Sequence, residues 1–183
     1  MIVTPKKPKS KRDIAHEARS FLRGAIIALG IALFVTTLIA QPVRVEGSSM
    51  MNSLKDKDLM IVTKFDYLLG EPERFDVVIC RYPGRGATNF VKRIVGVPGD
   101  TVAMYSGMLF VNGELVEEEY IEYRADYFME EITVEEGHYF VLGDNRCNSS
   151  DSHLSSIGQL ARDQILGRVR MVVWPLSEAR SIR

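Results

Sequence analysis

The twenty residues from 24 to 43 include no charged side chain, and this run limits the possible folds more than any other feature. As a helix, twenty residues span roughly 30 Å, about the thickness of a bilayer's hydrocarbon core. A buried soluble helix would need a larger protein around it. A cleaved secretory signal would need a small residue where Leu38 stands, two positions before Ala40. We therefore predict an uncleaved transmembrane helix at 24–43.

Charge is distributed unevenly on the two sides of this run. The chain has 23 Lys and Arg against 24 Asp and Glu, but residues 1–23 hold an excess of basic side chains. Basic flanks stay in the cytoplasm, which places 44–183 outside. A basic tail on an acidic body argues against a nucleic-acid partner. We predict a single-pass protein of the cytoplasmic membrane that contacts lipid, with 1–23 as a cytoplasmic arm.

The sequence after residue 43 is typical of β-strands. Its apolar runs are short, rich in Val, Ile, Phe and Tyr, and bounded by turn residues. The candidate strands are 58–65, 75–81, 89–96, 101–105, 138–143 and 167–174. Asn112-Gly113 predicts a type I′ hairpin turn within 108–116, and 162–165 suits a short helix or turn. We predict a mostly β fold, with an N-terminal transmembrane helix followed by an all-β domain over 44–183.

Cysteines and histidines give weak signals. Cys80 and Cys147 are too few for a disulfide framework or a four-thiolate zinc site, and the sequence leaves open whether they pair. His16, His138 and His153 lie far apart in the chain, although a Ser-His-Asp triad depends on geometry and is not excluded by this. Paired CxxC or HxxxH spacings are lacking, so we expect neither a metal nor a cofactor.

Two other segments suit nucleophilic catalysis. A serine beside glycine, as in 47–54, can sit in a tight turn that exposes a backbone N–H to an oxyanion. On 89–96, alternation places Lys92 between Phe90 and Ile94 on one face. Such a lysine is partly desolvated, which lowers its pKa and lets the neutral amine accept a serine proton. A plain linker and an edge-strand lysine reaching water remain alternatives.

Taken together, these segments resemble the type I signal peptidases, which are membrane-anchored serine proteases with a Ser-Lys dyad. The resemblance covers the whole chain in order. Its motifs are the serine box at 47–54, DLMIVTKF at 58–65, FVKRIVGVPGD at 90–100, GDNRCNSSDS at 143–152 and the final WP at 174–175. The lysine box and the GDNRxNSxDS box are long and specific.

The resemblance implies a role for each matching residue. Ser49 would be the nucleophile, Lys92 the general base, and Ser149 the serine that orients the lysine. Asp151 would pair with nearby arginines, and Arg93 would be one of its partners. A further set would hold the loop near the dyad, namely Asp144, Asn145 and Arg146. The implied fold is an all-β catalytic core with a smaller β insertion at about 101–136.

The implied function is the removal of N-terminal signal peptides from secretory preproteins at the outer face of the cytoplasmic membrane. Small side chains at the first and third positions before the cut would be preferred. Two alternatives stay open: a specialised Ser-Lys processing peptidase, and a non-catalytic membrane-anchored β-domain that binds exported chains.

Three segments depart from the pattern of this family. Asn52-Ser53 replaces Pro-Thr, which leaves the turn less fixed. Gly47 replaces a serine that donates to the oxyanion in some members, so the Ser49 N–H would act mainly alone, with Ser48 as a possible helper. His153 follows Asp151-Ser152 where arginine is common, and the pairing of Asp151 would then weaken or vary with pH.

Overall fold

The computed structural model describes residues 11–34 and 40–182, in two compact units that divide after Ile39. In the first unit, helix α1 runs from Lys11 to Phe34. Within the described ranges, no helix is both long enough and apolar enough to cross a membrane. Of the predicted span, 24–34 is helical, 35–39 lies outside the described residues, and 40–43 belongs to a strand.

The helical prediction is therefore wrong for residues 40–43. These residues pair antiparallel with 59–63, so their backbone groups bond to a neighbouring strand rather than along a helix. Pro42 fits there because this strand lies at a sheet edge, where a missing N–H costs least.

The second unit is built from strands. Within residues 40–182 these are β1 (Ala40–Arg44), β2 (Leu59–Thr63), β3 (Val77–Arg81), β4 (Asn89–Gly96), β5 (Thr101–Tyr105), β6 (Met108–Val111), β7 (Glu114–Leu115), β8 (Met129–Thr133), β9 (His138–Leu142), β10 (Leu160–Ala161), β11 (Ile165–Trp174) and β12 (Arg180–Ser181). Helix α2 (Asp66–Leu69) follows β2, and short 3₁₀ turns lie at Arg146–Asn148, Arg162–Gln164 and Leu176–Glu178.

These strands form two antiparallel sheets. The large sheet has the order β1-β2-β11-β3-β4-β9-β10, with β12 beside β11, and the small one has the order β7-β6-β5-β8. The small sheet spans Thr101–Thr133 and packs its apolar residues against the end of β9 through Phe140 and Leu142. A second apolar cluster lies beneath β2 and β11 and includes Met50 and Leu54.

The mostly β prediction is confirmed. Each candidate strand overlaps an observed one, and Asn112 and Gly113 have the positive φ angles, 54° and 78°, that the predicted hairpin turn requires. The turn expected at 162–165 is the 3₁₀ turn Arg162–Gln164. Strands β1, β8, β10 and β12 were not predicted, because their residues lack a clear apolar alternation.

Candidate active site

Ser49 lies in the turn that connects β1 to β2. Gly47 opens the turn with a φ of 95°, which favours glycine. Met50 and Leu54 are buried in the core and anchor the turn from below. Ser49 itself is half-buried, and within the described chain neither its hydroxyl nor its backbone N–H makes a hydrogen bond. Both groups are therefore available to a bound substrate.

Lys92 lies in the middle of β4 and is 1% exposed. Its Nζ donates a hydrogen bond of 3.1 Å to Ser149 Oγ. Burial lowers the pKa of Lys92, because an ammonium loses more hydration than an amine, although the nearby Asp151 carboxylate acts in the opposite direction. The site thus makes the neutral amine, which is the form that a general base requires, easier to reach than it is for a lysine in water.

Asp151 holds Ser149 in place. Ser149 Oγ donates to Asp151 Oδ2 at 2.5 Å, and the Gly143 N–H donates to the same oxygen at 2.8 Å. Burial alone would raise the pKa of Asp151, but hydrogen bonds from His153, Ser149 and the Gly143 N–H outweigh it and keep this pKa below its ordinary value. Asp151 is therefore an anion that fixes the serine facing Lys92.

Gly143 brings the serine turn next to this group. The Asn145 N–H donates to the Ser49 carbonyl at 3.0 Å. A Cβ on Gly143 would lie 2.6 Å from that carbonyl oxygen and even closer to Ser149 Oγ. The backbone of Ser49 and the partner of Lys92 thus both pack against Gly143, around the position that a Cβ would occupy. No hydrogen bond joins Ser49 Oγ to Lys92 Nζ directly among the described residues.

Hydrogen bonds from two asparagines hold Ser48 in place. Asn145 Nδ2 donates to the Ser48 carbonyl at 3.0 Å, and Asn148 Nδ2 donates to Ser48 Oγ at 2.9 Å. The Ser48 hydroxyl, named above as a second candidate donor to the oxyanion, accepts a hydrogen bond from the GDNRxNSxDS loop. Asn145 thus connects the GDNRxNSxDS loop to the serine turn.

The expected pairing of Arg93 with Asp151 is wrong. Arg93 Nε and Nη2 donate to Asp144 Oδ1 and Oδ2 at 2.9 and 2.8 Å, and both side chains are at most 2% exposed. The reason is the alternation of β4, which points Arg93 away from the face of Lys92 and Asp151. Asp144 also accepts from Ser53 Oγ, so this ion pair supports the serine turn from behind.

Arg146 binds a residue that sequence reasoning missed. It forms a buried bidentate ion pair with Glu118, which precedes β8. Tyr120, two residues later, places its ring 3.9 Å from the Arg93 guanidinium carbon. Glu118 stands among acidic neighbours, so no local signal distinguished it from a solvated side chain.

Cys80 and Cys147 do not form a disulfide. Cys80 is buried beside Lys92, whereas Cys147 is exposed in the 3₁₀ turn. Burial raises the pKa of the Cys80 thiol to about 12, so the thiol adds no charge to the site.

A groove of about 390 Å³ runs beside Ser49. Backbone segments 43–47 and 88–91 form its sides, and Ile79 and Met50 contribute apolar surface. Strand β9 pairs with β4 only from Arg93 onward, and β1 pairs with β2 alone in the described chain. Unpaired strand edges on both sides of a groove can bind an extended peptide.

A family model described as "Signal peptidase, peptidase S26" matches residues 18–174, which is most of the chain. The chain belongs to this family. A signal peptidase I from Bacillus amyloliquefaciens is 32% identical over 192 residues, with 97% of each chain covered. Signal peptidase I T from Bacillus subtilis is 36% identical, with 88% of each covered. The predicted serine endopeptidase of the signal peptidase family is therefore confirmed.

A solved signal peptidase I from Enterococcus faecalis is 33% identical in sequence. The match covers 54% of this chain and 97% of that one, with a TM-score of 0.47.

In this signal peptidase, Gly143→Ala is expected to reduce peptide cleavage about 10²-fold. The new methyl group would push Ser149 or the Ser49 carbonyl aside, and small displacements of reacting groups have effects of this size. The matched control is Gly30→Ala, where nothing lies within 4 Å of the added Cβ. Equal kcat/KM for both variants would show that Gly143 does not position the site.

Proposed function

We propose that the chain removes signal peptides from secretory preproteins with Ser49 as nucleophile and Lys92 as general base. The observation that carries this proposal is a buried lysine amine, bonded to a serine hydroxyl and adjacent to a turn whose own serine has a free hydroxyl. The relatives named signal peptidase I support the choice of substrate.

Each chemical step follows from this arrangement. Ser49 Oγ attacks the scissile carbonyl while neutral Lys92 takes its proton, and the free Ser49 N–H donates to the oxyanion. Lys92 then returns the proton to the leaving amine as the C–N bond breaks. Water then attacks the acyl-enzyme while the same amine takes its proton, and this proton passes to Ser49 Oγ as the acyl C–O bond breaks. Ser149 and Asp151 keep the amine directed toward the reacting atoms.

The groove supports an extended preprotein as substrate. A segment lying between 43–47 and 88–91 would bond to both free strand edges and pass Ser49. Its side chains would alternately meet the apolar wall formed by Ile79, Val91 and Met50. A shallow wall of this kind accepts small side chains and excludes large ones, which is the basis of an A-x-A preference.

We further propose that the uncharged run beginning at residue 24 anchors the protein in the cytoplasmic membrane, with 1–23 inside and the catalytic unit outside. The basic arm supports this orientation. The apolar side chains of α1 from Phe21 to Phe34 are exposed all round the helix, which suits lipid better than water. Holding enzyme and preprotein in one membrane raises their effective concentration.

The purified full chain is expected to cleave a preprotein after an A-x-A site. Replacing the last alanine before the cut by phenylalanine is expected to slow cleavage at least about 10²-fold, because the large ring clashes with the groove wall. Mass spectrometry of the products locates the cut. The matched control is phenylalanine at the second position before the cut, whose side chain faces away from the wall. Equal rates for all substrates would contradict the assigned groove.

A further inference from the structure

His153 lies at the far end of a series of hydrogen bonds that leads to Lys92. His153 Nδ1 lies 2.5 Å from Asp151 Oδ1, the other oxygen of Asp151 accepts from Ser149, and Ser149 accepts from Lys92. We propose that His153 is a positioning residue that makes the protonation of Lys92 depend on the charge of an imidazole. This inference rests on the proposed role of Lys92 as base.

The charge of Asp151 couples His153 to Lys92, the two ends of this series of hydrogen bonds. The Asp151 carboxylate is 1% exposed, and its negative charge favours the ammonium form of Lys92. A cation on the far side of Asp151 offsets that charge and favours the neutral amine. An arginine there would supply its charge at every pH, whereas a histidine supplies it only when protonated.

His153 is also placed to exchange protons with solvent. Its side chain is 19% exposed and lines a cavity of about 480 Å³ whose other titratable groups are Glu135 and His138. On its other side the Tyr127 ring stacks at a centroid distance of 4.7 Å. Burial raises the pKa of Tyr127, so this phenol stays neutral. Asp151 is therefore the charged group in direct contact with the imidazole.

The expected consequence is a flattened pH response. A charged imidazole compensates Asp151, so that Lys92 releases its proton more easily than it would beside a neutral one. A neutral imidazole leaves the Asp151 carboxylate uncompensated, and its charge then favours the protonated form of Lys92. The fraction of neutral Lys92 then rises less steeply with pH than it would beside a permanent cation.

Two variants test this inference. His153→Arg is expected to move the acidic limb of the kcat/KM profile to lower pH by about half a unit or more, since the compensating charge becomes permanent. His153→Gln fills similar space without a charge, and its limb is expected not to move to lower pH. The pKa of Lys92 itself is likewise expected to fall in His153→Arg and not to fall in His153→Gln. It is measured by NMR on the full chain labelled with ¹³Cε-lysine.

The outcomes separate this inference from the proposed function. Identical profiles and Lys92 titrations for the Arg and Gln variants would overturn the role of His153, as would equal shifts in the same direction, which would indicate packing rather than charge. Retained cleavage in Lys92→Met would instead overturn the dyad, whatever the His153 variants show.

Discussion

Replacing Lys92 by methionine is expected to lower preprotein cleavage by about 10³-fold, the range of general acid–base catalysis. Methionine fills the volume of the buried stem but cannot accept a proton from Ser49. The matched control is Lys55→Met, because the Lys55 side chain is 60% exposed and, among the described residues, its ammonium pairs with Glu178 alone. Initial rates on the same preprotein measure both variants. Full activity in Lys92→Met would show that another group is the base.

The same substitution is expected to change the pH dependence of stability. Lys92 has a pKa below its ordinary value of 10.5 in the folded chain, so the unfolded chain binds more protons between those two values. The contribution of Lys92 to the wild-type free energy of unfolding therefore rises with pH between the two pKa values. It is lowest at pH values below the pKa of Lys92 in the folded chain. Lys92→Met lacks the term and is expected to be more stable than wild type at neutral pH by urea denaturation. This result would also show that the inactive variant is folded.

Alternation along β4 predicted the site better than the resemblance did in one respect. It placed Lys92 and Arg93 on opposite faces, and the structure has them so. Asp151 contacts Ser149, the partner of Lys92, so Arg93 on the other face had no access to it. Alternation therefore argued against the pairing of Arg93 with Asp151, but it did not identify Asp144 as the partner.

Contacts between distant segments were harder to predict. The uncharged run at 24–43 does not show where the helix ends and the edge strand begins. Strand β1 is stabilised by the pairing of 40–44 with 59–63, which is distant in the sequence. Similarly, Glu118 is buried only because Arg146, far along the chain, meets it. Local patterns identified the strands and the motifs, whereas the partners of the buried charges depended on how the two sheets pack.

Removing one partner of the buried Arg93–Asp144 pair is expected to have the largest effect on stability. Asp144→Ala leaves a guanidinium buried without its carboxylate, which costs about 3–5 kcal/mol of unfolding free energy. The control is Glu178→Ala, which breaks the exposed pair with Lys55 and is expected to change stability far less, because solvent screens surface pairs. Urea denaturation followed by circular dichroism gives both values.

A double variant separates the charge effect from the loss of packing. Arg93→Met combined with Asp144→Leu removes both charges of the pair and is expected to be more stable than Asp144→Ala alone, because the guanidinium is no longer buried without its carboxylate. It also removes the hydrogen bond that Ser53 donates to Asp144, so the serine turn loses support and cleavage is expected to stay low even where the protein is folded. If the double variant recovered both stability and full cleavage, the pair would have no part in holding Ser49. If it were as unstable as the single variant, the cost would arise from side-chain packing rather than from a stranded charge.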